Sequence, residues 1–139
     1  MSISQSQAHH LINGYFESFN QGKFEKTAAL FGETGKLNPP FEEPIVGRER
    51  IFSYLQKKAK GMVATPQEWT FHSEESDGEG DRWRVDVQGK VQAIVFQVNV
   101  TWQFVITDLS QIASARIKLV ASPKELLNLR ATKEQVTAA

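Results

Sequence analysis

Between Ile94 and Ile106 the chain alternates. Ile94, Phe96, Val98, Val100, Trp102, Phe104 and Ile106 fall on one side of the run, and Gln97, Asn99, Thr101 and Gln103 on the other. Side chains on an extended backbone project to opposite faces with a period of two. The run therefore predicts a long strand with one apolar and one polar face. Such a strand requires a sheet, and the sheet requires an apolar cover on one side. Neighbouring segments supply the sheet. Trp83, Val85 and Val87 alternate with Arg84, Asp86 and Gln88; Glu68 to His72 can extend after Pro66; Ile112 to Ala121 reads as another strand after a turn at Asp108 to Gln111. Ser73 to Asp81 is acidic, holds two glycines and suits an exposed turn.

The cover lies in the first half. From about Ser6 to Asn20, Ala8, Leu11, Ile12, Tyr15, Phe16 and Phe19 recur at helical spacing, one apolar stripe before a stop at Gly22. Phe24 to Phe31 predicts a second short helix, broken by Gly32 and Gly35. Leu37 to Pro44 carries three prolines, which exclude a helix and leave an extended or turning segment. Gly47 to about Lys60 is helical again, with Ile51, Phe52, Leu55 and Ala59 on one side. Ser122-Pro123-Lys124-Glu125 combines a cap, a proline and a capping-box glutamate ahead of Leu126, Leu127 and Leu129, a short C-terminal helix. Helices first and antiparallel strands later is an α+β order. With 139 residues the chain reads as a single domain, 1–139, with an ordered core of about 6–130.

Composition narrows the chemistry. The 16 basic and 16 acidic residues balance, so no basic excess awaits nucleic acid. There is no cysteine, which removes disulfides, thiolate chemistry and Cys-type zinc sites. The polar stretch Met1 to His10 lacks a signal-peptide core, and no apolar run approaches the ~20 residues that span a bilayer. A cytoplasmic protein is expected. His9 and His10, His72, Glu42, Glu43 and Asp86 show no metal spacing, and all read as surface or polar-face groups. Two polar atoms stand out on apolar faces. Tyr15 sits on the first helix and Trp102 on the longest strand, each bringing one hydrogen-bond donor into an apolar surface. Pattern leaves two roles open for them: a core side chain bonded to a backbone carbonyl, or a donor to a ligand carbonyl. Trp83 faces the same choice with less in its favour.

Several separated blocks carry a resemblance. The segment Leu37-Asn38-Pro39-Pro40-Phe41-Glu42-Glu43-Pro44-Ile45-Val46-Gly47-Arg48-Glu49 is similar to the corresponding stretch of the C-terminal domain of orange carotenoid proteins. So are Gly89 to Gln92, Asn99 to Phe104 and Ala121 to Leu129, in the same order. The likeness runs from about His10 to Arg130 and resembles the free-standing C-terminal domain homologues of cyanobacteria. It implies a nuclear transport factor 2-like cone, with N-terminal helices packed on a curved, mostly antiparallel sheet. It also implies a keto-carotenoid ligand of canthaxanthin or echinenone type. In that family one Tyr of the first helix and one Trp of a central strand bond the ring carbonyl. Tyr15 and Trp102 fit those positions, with Phe96, Val98, Val100, Phe104, Ile117 and Leu119 expected to line the cavity. The chain departs from the photoreceptor in a shorter connection through Ala93-Ile94-Val95-Phe96, which lacks an additional Trp.

The resemblance implies a non-catalytic carrier. It would bind a keto-carotenoid, take it from a membrane by transient contact, deliver it to a helical carotenoid protein and quench singlet oxygen in photoprotection. An isomerase or cyclase of ketosteroid-isomerase type is the alternative, and needs an acid or histidine in the cavity. A dimerisation module with a filled cavity is a third. A homodimer sharing one carotenoid is expected, because the ligand is a rod about as long as the domain is wide.

Overall fold

The computed structural model describes residues 3–76 and 80–120. Helix α1 (Gln5–Asn20) starts at a capping box: Ser4 Oγ accepts from the Gln7 N–H, and Gln7 Oε1 accepts from the Ser4 N–H. Its buried face is the apolar stripe, including Ala8, Ile12, Tyr15, Phe16 and Phe19. Helix α2 is shorter than expected, Phe24–Ala29, and Phe31 opens strand β1 (Phe31–Asn38).

Gly32 and Gly35 therefore do not end a helix; they lie in β1. At Gly35 a Cβ would stand 2.9 Å from both the Ile112 carbonyl oxygen and Phe31 Cβ. Only glycine permits that approach. The ladder shifts register between Phe31 and Lys36 where β1 runs parallel to β6 (Ile112–Val120). Strand β2 (Ile45–Val46) pairs antiparallel with β1, so Pro39 to Pro44 forms a strap between them. Helix α3 (Arg48–Lys58) follows Gly47, which holds φ +95° at the N-cap position.

The remaining strands are β3 (Val63–Ser76), β4 (Gly80–Gln92) and β5 (Gln97–Ile106). With the others they form one curved, open six-stranded sheet, ordered β2-β1-β6-β5-β4-β3, antiparallel except for β1 and β6. Three details differ from expectation. Both arms of the β3–β4 hairpin run into the segment expected as a turn, reaching Ser76 and starting again at Gly80. β3 also continues through Pro66, because the ladder bulges between Pro66 and Glu68 and spares a proline N–H. β5 begins at Gln97 and not at Ile94, since the Ala93 N–H donates to the Phe96 carbonyl and Gln92 pairs with Gln97. Ile94 and Val95 form the exposed hairpin tip. The expected helix at Ser122 to Leu129 lies outside the described residues.

The α+β order and the nuclear transport factor 2-like fold hold. Helices α1 and α3 cover the concave side of the sheet. Val85, Val87, Val100, Trp102, Phe104, Ile106, Ile112 and Ala115 point toward them and are buried.

Candidate ligand-binding cavity

The helices do not fill the whole concave side. An apolar cavity of about 70 Å³ lies between α1, α3, the strap and the inner face of β4, β5 and β6. The sheet contributes Val98, Val100, Ile117 and Leu119 to its wall and the β4–β5 turn Phe96, five of the six residues expected there. Phe104 does not line it. Its ring is wholly buried between Tyr15, at 5.1 Å, and Phe16, at 5.9 Å, in the closed core. The cavity tapers before it reaches Phe104 because those rings fill the space. Leu55 and Ala59 close the helical side, Leu37 of β1 adds to the wall, and Pro39 and Pro40 bring the strap over it.

Tyr15 and Trp102 meet in this wall. Both are nearly inaccessible, at 1% and 2% exposure. Rings fix their positions: Trp102 stands edge-on to Phe16 at 4.8 Å, and Tyr15 packs edge-on to Phe104 and alongside Phe19 at 6.1 Å. Neither Tyr15 Oη nor Trp102 Nε1 has a hydrogen-bond partner among the described residues. Trp83 behaves otherwise, donating to the Ile3 carbonyl oxygen at 2.9 Å. Burial pushes the Tyr15 phenol far above its ordinary range, so it stays a neutral donor. The arrangement offers two neutral donors in an apolar wall, which suits an acceptor with two lone pairs, such as a carbonyl oxygen.

Among the described residues no carboxylate or histidine lines the cavity. Asp86 lies on the far face of the sheet, 3.6 Å from His72 Nε2. Glu42 is nearer than the sequence suggested. Tyr54 lines the cavity and donates its hydroxyl proton to Glu42 Oε2 over 2.5 Å, tying the strap to α3. Burial, then the Glu42 hydrogen bond and charge, push the Tyr54 phenol strongly up. Tyr54 was absent from the apolar side read for this helix, yet it stands three residues after Ile51 and shares its face. Among the described residues no group of His, Cys, Asp or Glu side chains could hold a metal, and no helix is long and apolar enough to cross a membrane.

A keto-substituted ring fits this wall chemically. Its size does not fit the cavity as it stands, since a dry engineered cavity that takes benzene measures ~150 Å³. A ring larger than benzene would need these walls to part.

Comparison with known proteins places the cavity in a lineage. The chain is 34% identical over 119 residues to the orange carotenoid-binding protein of Limnospira maxima, covering 83% of this chain and 36% of that protein. It is 33% identical over 121 residues to the orange carotenoid-binding protein of Synechocystis sp., covering 84% and 37%. The chain thus spans little more than a third of the length of these curated relatives, matching their C-terminal domain. Among solved structures it is similar to the Anabaena (Nostoc) orange carotenoid protein binding canthaxanthin, with a TM-score of 0.72 and 32% identity over 92% of this chain and 40% of that one. A putative ketosteroid isomerase from Kribbella flavida shares the fold at a TM-score of 0.67 and 18% identity, covering 84% and 80%. The nuclear transport factor 2 (NTF2) domain model matches residues 7–113, the stretch that carries α1, α3 and most of the sheet around the cavity, and the chain belongs to that family.

Proposed function

We propose that this chain binds one end ring of a keto-carotenoid, of canthaxanthin or echinenone type, and carries the pigment without catalysing a reaction. The observation that carries this reading is the pair of neutral donors, Tyr15 Oη and Trp102 Nε1, which have no hydrogen-bond partner among the described residues and stand in a wall to which those residues contribute no acid. A general base is what an isomerase or cyclase needs there, and Glu42, the carboxylate bonded to the lining residue Tyr54, already accepts from it. Similarity to orange carotenoid-binding proteins supports the ligand class. Pickup from a membrane, delivery to a helical carotenoid protein, and singlet-oxygen quenching in the cytoplasm follow from carrying such a ligand.

The test is expression in a host that makes canthaxanthin, followed by purification and pigment extraction. A visible absorption band that co-migrates with the protein is expected. Colourless protein from a pigmented host, or steroid-isomerase turnover by the pure protein, overturns the reading.

A further inference from the structure

The cavity has a neighbour. A groove of about 320 Å³ runs between the end of α1 and the connection from α3 to β3, lined by Asn20, Gln21, Gln56 and Lys60 among others. Two residues belong to the walls of both spaces, Phe19 and Met62. These two side chains form the shared partition.

The two differ in freedom. Phe19 is 8% exposed and held between Tyr15, at 6.1 Å, and Phe24, at 5.9 Å. Met62 is half-buried, packed against the edge of the core cluster. Its unbranched thioether has three rotatable bonds and adapts to irregular space. The backbone around it is fixed. The Met62 N–H donates to the Ala59 carbonyl, and Asn20 pairs with both the N–H and the carbonyl of Ala64, at 2.7 and 2.8 Å. The frame is therefore clamped while the Met62 side chain can swing.

We propose that Met62 is the gate of the ring pocket: a bound ring displaces its side chain into the groove, and cavity and groove become one space. This rests on the reading of the cavity as a carotenoid ring site. It resolves the mismatch between a cavity of about 70 Å³ and a ring larger than benzene. It also sets ligand class, because the far side of the joined space carries the amides of Gln21 and Gln56 and the ammonium of Lys60. A ring bearing a hydroxyl besides its ketone finds partners there, so such rings are accepted as well as plain ketones.

The chain has two methionines, Met1 and Met62, so a methyl-¹³C methionine label gives a nearly private signal from the gate. The protein is titrated with canthaxanthin and, separately, with the ring alone as 4-oxo-β-ionone, in the presence of a soluble paramagnetic agent. The Met62 methyl is expected to shift on binding and to broaden several-fold more than in the free protein. Met62→Ala is expected to load canthaxanthin several-fold faster, and Met62→Leu, which keeps the bulk but not the flexibility, to load it more slowly. A loaded protein whose Met62 methyl keeps its position and its protection overturns the gate while leaving the carotenoid reading intact. Loss of canthaxanthin binding with the ring still moving the methyl does the reverse.

Discussion

Tyr15 and Trp102 place two hydrogen-bond donors in an apolar wall, and neither has a partner among the described residues. A neutral hydrogen bond nets only about 0.5–1.5 kcal/mol. Covering several hundred Å² of polyene contributes on the order of 10 kcal/mol at ~25 cal/mol per Å². Tyr15→Phe and Trp102→Phe are therefore each expected to weaken carotenoid binding by roughly 2- to 10-fold, and to shift the visible band. The double change weakens it further. Titration followed by absorption checks this, and single variants with unchanged spectrum and affinity would remove the pair from the carbonyl site. Helical and strand periods placed both residues on buried faces, because those periods describe single elements. Phe104 on the same strand face turned out to be closed core, because the depth at which α1 rings plug the sheet depends on packing between elements. Met62 was unreadable for the same reason: its role comes from two connections meeting in space, and it follows a glycine outside any periodic run.

At the scale of elements, the long amphipathic pieces were legible and the glycines were misread. Helix α1 and the body of β5 follow from apolar spacing alone, since each presents one clean face. Gly32 and Gly35 read as helix breakers, although β1 uses them to lie against β6. Nothing local distinguishes a glycine that stops a helix from one that admits a neighbouring backbone. The structure separates them energetically. A Cβ at Gly89 would fall 2.1 Å from the Thr65 carbonyl oxygen, and at Gly35 it would press on the Ile112 carbonyl oxygen. At Gly32 it would meet only the end of the Gln111 side chain, at 3.2 Å. Gly89→Ala and Gly35→Ala are expected to destabilise the fold by about 1–3 kcal/mol or more. Gly32→Ala should stay within about 0.5 kcal/mol of the parent, as Gln111 can turn aside. Urea unfolding at constant m-value ranks the three, and an order with Gly32→Ala as the worst would contradict the β1–β6 register.

At the scale of the molecule, several of the exposed apolar side chains stand near the cavity, while Leu109, 76% exposed, lies at the other end of β5. Ile94 and Val95, 94% and 70% exposed, stand beside Phe96 of the wall, and Phe41, 58% exposed, follows Pro40 of the strap. Val63 and Val120 pair with Gln92 and Asn99 on either side of the same hairpin and are also exposed. A domain of this length has a radius of gyration of about 14 Å, so under the proposed function one cavity would shelter roughly half of a carotenoid. The protruding half would be apolar surface in water, at a cost of several kcal/mol by ~25 cal/mol per Å². Two copies placed rim to rim cover both the rod and the exposed side chains, and a two-fold axis suits a ligand with a ring at each end. Pigment loading is therefore expected to drive dimerisation with one carotenoid per two chains. Ile94→Lys with Val95→Lys, at a hairpin tip outside the core, should weaken the pigmented dimer by at least 10-fold without lowering the unfolding temperature of the free chain. Light scattering on the pigmented fraction, with pigment counted per chain, measures both quantities. A monomer that holds a whole carotenoid would defeat the shared-rod arrangement and would require the ligand to thread the domain, which the groove beyond Met62 is the place to look for.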